Sequence, residues 1–502
     1  MQKNLNINKL LDFNQFLNES EKNSELNLLI LSGTEGISKT AESFLKECKK
    51  RKIECNVVNV DNITIEKLYN GHLLVDPTDE SSEIIISPKN TVIIPRRGVV
   101  KNSKTKQIML DLEKERYFCI NSLKSIEDCE NKYTTSEILE SKGLPVPKYA
   151  IVSELANLDS ALEKIGGKFP IIMKLLSGSQ GIGVSIVDSY ASLKSVYQTI
   201  TKLSPDNEIL LQEKIDSNYD IRVQIIVKQF NPLSFNISDN CEVIGVMKRE
   251  AVKKDFRTNY SLGGEVKDFE LTDEIKEIAC KAANVMGCHW CGVDIMIDDK
   301  NEKPYILEVN SSPGTEGISK VMDKPIVSTV IDYATDKKNW VYSVMEVGYL
   351  ETVSISGVGN MVAKFDTGNG STSCTMHADA IEIKNETMYW SVGNIKMENP
   401  IIGYSTAEVG NKKIKRPIIE ISFGIGNIKI NKVKVSPVDR TEKSTPFLVN
   451  RKLMRDLGLI VNPHKAFIVS EKPKSGFSPK HSKGNKSAGI EFIKNSQKKS
   501  DI

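Results

Sequence analysis

Gly292-Val293-Asp294-Ile295-Met296 and Tyr305-Ile306-Leu307-Glu308-Val309-Asn310 are apolar-rich runs separated by Asp298-Asp299-Lys300-Asn301-Glu302, a block of turn-forming residues. The two runs are expected to pair as an antiparallel hairpin, and a turn centred near Asn301 sets Asp294 opposite Glu308. The period of two along a strand puts Glu308 and Asn310 on one face, with Leu307 and Val309 on the other. Two carboxylates facing each other across a ladder repel. A hard divalent cation relieves that repulsion, and Asp, Glu and an Asn carbonyl oxygen suit Mg2+. The competing reading is a solvated polar face.

Upstream, the strand Ile171-Ile172-Met173-Lys174-Leu175-Leu176 carries one Lys in an apolar run and opens into Ser177-Gly178-Ser179-Gln180-Gly181-Ile182-Gly183. Glycines let successive backbone N–H groups curl around an anion, and the Lys adds a point charge for phosphate oxygens. No Gly-Lys-Ser/Thr follows, so this is not a Walker A loop. Val184 to Val187 follow where a Rossmann helix would start, so it is not a dinucleotide fingerprint. A β-hairpin turn explains such a loop as well as a phosphate cradle does.

Strands are expected at Leu28 to Leu31, Cys55 to Val60 and Val92 to Ile94, around an amphipathic helix from Lys39 to Lys52. That alternation implies a small α/β domain. Lys132 to Lys142 reads as a helix stopped by Gly143 and Pro145; Ile209 to Glu213, Ile221 to Lys228 and Val243 to Arg249 read as strands. Thr272 is placed to cap a helix that runs to Met286 and ends at Gly287. Beyond about 336–344, Gly and β-branched residues dominate, which predicts a separate, mostly β domain.

For 502 residues, about three domains of roughly 150 residues are expected. A net charge of +3 gives no reason to invoke a nucleic-acid partner. No apolar run approaches the roughly 18 residues of a membrane helix, and the first twenty residues hold no signal-peptide core. Nine scattered Cys residues suit free thiols in a reducing cytoplasm, so the expected location is cytoplasmic.

The order of these features resembles the ATP-grasp superfamily, and in detail the RimK branch of glutamate-adding amide ligases. The matching segments are Asn131 to Pro147, Ile172 to Val184, Leu211 to Ile215, Asp220 to Val223, Asp255 to Asn259, Gly292 to Ile295 and Leu307 to Ile318. The resemblance implies a leader (1–25), an α/β pre-ATP-grasp domain (26–128) and a two-lobed α+β ATP-grasp domain (129–335). It implies ATP with Mg2+ or Mn2+, held by Asp294, Glu308 and Asn310. Lys132 and Lys174 would touch the phosphates beneath the loop of Gly178, Ser179, Gly181 and Gly183. Glu213 and Lys214 would form the adenine hinge, and Asp220 would reach the ribose. Thr258 and Asn259 would lie beside the γ-phosphate, with Arg257 stabilising charge during transfer. The implied substrates are an amino acid, glutamate first, and a protein, peptide or small-molecule acceptor. One departure is an insertion, Gln229 to Cys241. Arg96 and Arg97 sit where the family has an Arg after a Pro, and read as a carboxylate clamp or as a solvated loop end. Cys288-His289-Trp290-Cys291 has no second Cys pair and is given no metal or redox role.

In the C-terminal part, Val362-Ala363-Lys364-Phe365 runs into Asp366-Thr367-Gly368, and Pro446-Phe447-Leu448-Val449-Asn450-Arg451 follows later. Both resemble elements of retropepsin-like aspartic peptidases, of the kind labelled ATP-dependent zinc proteases. Residues 345–470 would form that β-barrel, with Asn450 replacing a Gly as a residue that visits left-handed conformations. If that domain cleaves peptides, a single Asp-Thr-Gly makes Asp366 half of a catalytic pair, which implies a homo-oligomer; the competing reading is a degenerate barrel that binds the ligase's acceptor. Residues 471–502 read as a disordered basic tail.

Overall fold

The computed structural model describes residues 26–33, 36–68, 71–76, 79–96, 98–176, 183–203, 208–228, 237–250, 265–322, 325–340, 345–409, 412–426, 428–474 and 490–491. They fall into two compact units, Met1–Glu113 with Tyr117–Trp340, and Lys114–Arg116 with Val341–Ile502. Gly178, Ser179, Gly181, Arg97, Arg257, Thr258 and Asn259, with the expected leader, lie outside the described residues.

The first unit opens with β1 (Asn27–Ser32), α1 (Lys39–Arg51) and β2 (Glu54–Asn59). Ser38 caps α1 by accepting from the Ala41 N–H. A meander of β3 (Thr64–Leu68), β4 (Gly71–Asp76) and β5 (Asp79–Ile86) lies where the sequence reading has no element. Next come β6 (Thr91–Pro95), α2 (Ser103–Lys114) and β7 (Phe118–Cys119), completing a parallel sheet ordered β2-β1-β6-β7. Leu28 and Ile30 pack with Phe44 of α1, while Leu29 and Leu31 pack with Met109 and Leu112 of α2. With both faces covered, the strand reads as an unbroken apolar run.

After α3 (Leu123–Glu130) and α4 (Lys132–Ser141) come β8 (Tyr149–Val152), α5 (Leu158–Lys164), β9 (Ile171–Leu175), β10 (Val184–Val187), α6 (Tyr190–Leu203) and β11 (Ile209–Glu213). The four strands form an antiparallel sheet, β10-β9-β11-β8. Ile171 and Met173 pack against α5 and α6, so the alternating Lys174 belongs to the other face. The chain continues through β12 (Tyr219–Val227), α7 (Ile237–Asn240), β13 (Cys241–Glu250), β14 (Glu265–Lys267), α8 (Asp273–Val285), β15 (Trp290–Ile297), β16 (Pro304–Asn310) and α9 (Ile326–Thr335). Here the sheet is β14-β13-β12-β15-β16, also antiparallel. Ile221, Val223, Val293 and Ile295 face Ala279, Ala282 and Ala283 of α8, leaving the opposite face to polar residues. Thr272 caps α8 by accepting from the Ile275 N–H.

Three expectations for this unit are corrected. Cys241 and Cys280 form a disulfide between β13 and α8, so the cysteines are not all free thiols. Cys241 is the first residue of β13, paired with Val227, so the insertion ends at Asn240. The hairpin does pair Asp294 with Glu308, but the register then slips to Ile295 with Ile306. This β-bulge gives the buried face to Ile306 and Val309, three apart, and leaves Leu307 half-buried.

The second unit contains β17 (Met345–Ile355), β18 (Gly359–Phe365), β19 (Cys374–His377), β20 (Ala380–Lys384), β21 (Thr387–Val392), β22 (Ile395–Pro400), β23 (Gly403–Val409), β24 (Lys412–Ile425), β25 (Ile428–Val438), β26 (Phe447–Val449), α10 (Arg451–Asp456), β27 (Leu459–Ala466) and β28 (Ile490–Glu491). Because β24 pairs with both β25 and β17, six strands close into a ring, β17-β18-β26-β19-β25-β24. Met361, Ala363, Phe365, Met376, Phe423 and Phe447 lie in its core. Asn450 is not left-handed: at φ −88° it caps α10, its side chain accepting from the Leu453 N–H. The expected tail is not wholly structureless either. Ile490–Glu491 pairs with β18, and Ile490 packs on the barrel core.

Candidate active site

The polar face of the five-stranded sheet is built by register. On β12, Asp220, Arg222 and Gln224 alternate with the core residues Ile221 and Val223. Arg222 lies opposite Asp294, Asp294 opposite Glu308, and Asp220 opposite Arg249. The ladder therefore lays a row of alternating charges across four strands. Arg222 grips Asp294 with two bonds, Nε to Oδ1 and Nη2 to Oδ2, both 2.6 Å. Arg249 donates to both oxygens of Asp220 at 2.6 and 2.5 Å, and to Asp294 Oδ2 at 2.7 Å. Burial alone would raise the Asp294 pKa, but the two guanidiniums hold it well below the usual carboxylate range.

That leaves Glu308 as the surplus charge. Its nearest cation, Arg222 Nη2, is 3.4 Å away, and burial together with Asp294 pushes its pKa up. Two lysines from other elements act on it. Lys174 of β9 is lowered to about 8 by burial, against the pull of Glu308 and helped by Lys132. Lys132, the first residue of α4, is likewise lowered by burial and counteracted by Glu308 and Glu130. Its Nζ donates to the Leu176 carbonyl at 3.5 Å, just before the glycine-rich loop. Two desolvated ammonium groups beside an undercompensated carboxylate describe a place that favours a bound anion carrying a cation.

The donor set passes the test for a hard cation. Among the described residues Asp294 Oδ1 meets a single guanidinium, Asn310 Oδ1 accepts only the Ser312 N–H at 2.9 Å, and Glu308 Oε1 is met by Arg222 Nη2 at 3.4 Å. Among the described residues no trio of His, Cys, Asp or Glu is arranged around one point, so the third oxygen would be the Asn310 amide.

Other expected residues are placed as follows. Gly183 has φ +80°, closing the β9–β10 hairpin where the Leu175 N–H bonds to its carbonyl. Glu213 ends β11 and accepts the Lys148 N–H at 2.7 Å. Lys214 pairs with Asp216 at 2.7 Å. Asp220, expected at a ribose, is 3% exposed with both oxygens bonded to Arg249, so the structure makes it a charge partner rather than an open contact. Arg96 is no solvated loop end. It is buried over the Trp290 ring, 5.0 Å from its centroid, and donates to the Pro313 carbonyl at 2.8 Å. Among the described residues its Nε and Nη1 have no hydrogen-bond partner, nor has the Ser312 hydroxyl, and burial lowers its pKa to about 10. Arg222 and Arg249 carry the site's electrostatics, yet the sequence reading gave them no role. The one signal was the two-residue step from Asp220 to Arg222, which shares a strand face.

Residues 129–334 match the model of the RimK-like ATP-grasp domain. Over 248 residues the chain is 32% identical to a probable alpha-L-glutamate ligase of Vibrio atlanticus (strain LGP32), covering 49% of this chain and 76% of that protein. The chain belongs to the RimK-like ATP-grasp family. A probable alpha-L-glutamate ligase of Coxiella burnetii (strain Dugway 5J108-111) is 32% identical over 243 residues, 48% of this chain and 75% of the relative. A solved D-alanine–D-alanine ligase from Bacillus anthracis, complexed with ATP, is 18% identical with TM-score 0.44, covering 62% of this chain and 97% of that one. As an ATP-grasp enzyme, this chain is an ATP-dependent carboxylate–amine ligase that forms C–N bonds. ATP-grasp ligases use ATP and Mg2+.

In the second unit, β18 runs parallel to β26 and delivers Asp366 at its end. The Asp366 N–H donates to the Val449 carbonyl at 3.2 Å, and its Oδ1 accepts the Gly368 N–H at 3.0 Å. Asn450 Nδ2 donates to the Ser371 carbonyl at 2.7 Å, pinning the Asp-Thr-Gly loop to the start of α10. His377 is a structural group. Its Nδ1 accepts the Arg440 N–H at 3.1 Å, which leaves Nε2–H to donate to Asp379 at 3.0 Å. Among the described residues no helix is long and apolar enough to cross a membrane.

Proposed function

We propose that the first unit transfers the γ-phosphoryl group of ATP to a substrate carboxylate, and that an amine then displaces phosphate to form an amide. The convergence of Lys132, Lys174 and Glu308 carries this reading, because catalysis of phosphoryl transfer is mostly positioning and charge neutralisation. Lys132 and Lys174 hold phosphate oxygens, and the loop of Gly178, Ser179, Gly181 and Gly183 covers them. Glu213 and Lys214 border the adenine. Arg257, Thr258 and Asn259 serve the transferring group. Asp294, Glu308 and Asn310 hold Mg2+, or Mn2+ in its place, which neutralises charge on the phosphates when bound. Arg222 and Arg249 keep Asp294 ionised and fixed. Arg96 receives a substrate carboxylate, for which its unbonded Nε and Nη1 are suited.

The amino acid added is glutamate or a close analogue, and the acceptor a protein, peptide or small molecule; the relatives named as glutamate ligases support this choice. ATP use favours a cytoplasmic location. Purified protein should release ADP only when Mg2+, an acid and an amine are all present. Lys174→Ala and Glu308→Ala should each abolish turnover in folded protein. AMP as product, or turnover persisting in both variants, overturns the reading.

A second activity is favoured by the geometry around Asp366. The strand-to-loop delivery of an Asp-Thr-Gly, locked to the β26–α10 junction, supports a retropepsin-like domain over 345–470 that cleaves peptides or binds the ligase's acceptor. Cleavage of glutamate-extended peptides, lost in Asp366→Asn, is its test.

A further inference from the structure

Cys288-His289-Trp290-Cys291 acquires its third thiol from far along the chain. The helix α8 ends in a left-handed Gly287 at φ +66°, with the Gly287 N–H bonded to the Asn284 carbonyl and the Cys288 N–H to the Ala283 carbonyl. This Schellman arrangement turns the chain sharply and presents residues 287–288 to α3. Ser125 and Cys129 lie one turn apart on the facing side of α3. Ser125 Oγ donates to the Gly287 carbonyl at 2.8 Å, and Cys129 Sγ lies 3.6 Å from Cys288 Sγ. Cys291 also hydrogen-bonds to Cys288.

We propose that Cys129 and Cys288 form an oxidative modification site, closing to a disulfide that lowers the affinity for ATP. The two sulfurs need approach only from 3.6 Å to about 2.0 Å. The co-reactant is a low-molecular-weight disulfide of the glutathione class. The thiolate of Cys129, the half-buried member, attacks one sulfur of that disulfide and expels a small thiolate. Cys288, as thiolate, then attacks the Cys129 sulfur of the mixed disulfide; the protein S–S bond forms and the second small thiolate leaves. Two protein thiols give up two protons and two electrons, and one small disulfide becomes two thiols. Hydrogen bonds from Cys129 and Cys291 lower the Cys288 pKa to about 5, while the same contact and burial push that of Cys129 well up, so loss of the Cys129 proton to solvent makes the first attack the slow step and Cys288 is the ready resolving thiolate. This chain already holds the Cys241–Cys280 bond against the same helix, so oxidation in this region has a precedent.

The link to ATP is short. Asn131 ends α3 and caps α4, accepting from the Tyr133 and Thr134 N–H groups, and Lys132 is the first residue of α4. Drawing Cys129 toward Cys288 shifts that joint, and with it the ammonium of Lys132.

Reduced full-length protein is equilibrated with glutathione buffers of rising oxidised fraction, alkylated, digested and mapped, with Mg·ATP affinity measured in parallel by calorimetry. Cys288 is fully buried, so the variant is Cys129→Ala at the half-buried end. A Cys129–Cys288 peptide should appear as affinity falls about tenfold, the scale of a lost charge-assisted contact of about 1.5 kcal/mol. Dithiothreitol should restore binding, and Cys129→Ala should bind ATP equally in every buffer. The proposal is overturned if both thiols stay alkylatable, if they link without change in affinity, or if Cys129→Ala responds like the wild type. In that last case another pair, Cys241–Cys280 or Cys48–Cys55, would be responsible.

Discussion

Asp220 separates two roles that one residue might be given. Its oxygens are both bonded to Arg249, a guanidinium itself nearly inaccessible, and removing one member of a buried pair costs about 3–5 kcal/mol. Asp220→Ala should therefore lower the urea unfolding free energy by about 3 kcal/mol. A ribose contact would instead raise the KM for ATP at unchanged stability. Lys174 gives a second residue-scale expectation. Its folded pKa of about 8 lies below the ordinary lysine value, so the unfolded chain binds more protons between pH 8 and that value. Stability of the free protein should consequently rise with pH across this window, the cost of the buried charge being fully present below pH 8. Phosphate oxygens favour the charged form, so ATP binding near pH 8.5 should take up protons. Calorimetry in buffers of different ionisation heat measures that uptake, and it should shrink in Lys174→Met to what Lys132 supplies.

Among the elements, the β15–β16 hairpin shows what a sequence makes legible. Asp298 to Glu302 are turn residues, and counting back from Asn301 finds the Asp294–Glu308 pair that the structure contains. Asp294→Ala and Asn310→Ala should raise the Mg2+ requirement of ADP release several-fold, and Asp298→Ala should not. Equal effects would break the link between ladder position and metal. The bulge at Leu307 was not legible, because alternation assumes an unbroken register and an extra residue leaves no compositional trace. Arg222 and Arg249 were missed for a related reason: their partners are set by which strands pair, and β12 meets β15 across more than sixty residues of chain. The β3–β5 meander escaped because its strands mix polar and apolar residues, with Thr64, Glu66 and Lys67 exposed. Ile490 was hidden by averaging over a Lys- and Ser-rich tail. Asn450 was noticed for the wrong property. As a helix cap, its change to Ala should cost about 1 kcal/mol, read from urea unfolding of the barrel unit.

At the scale of the whole molecule, the peptidase proposed for the barrel unit carries a stoichiometry. An aspartic peptidase works with two carboxylates that share one proton, since two close like charges cannot both ionise and one is left as acid, the other as base. The sequence contains Asp-Thr-Gly once, at Asp366, and the barrel closes on its own six strands without duplicating that loop. Cleavage therefore requires Asp366 from two chains meeting about a two-fold axis. The active species should be a dimer or larger by light scattering, and peptidase activity should fall faster than linearly on dilution as the pairs dissociate. Its pH profile should be bell-shaped on the acid side, where the pair holds a single proton. Mixing wild type with Asp366→Asn gives a sharper measure. If chains pair at random, a one-to-one mixture leaves a quarter of the dimers with both carboxylates, whereas a self-sufficient site would leave half the activity. Cleavage by a strict monomer, or activity retained in Asp366→Asn alone, would remove the two-chain site and leave the barrel as a binder of the ligase's acceptor.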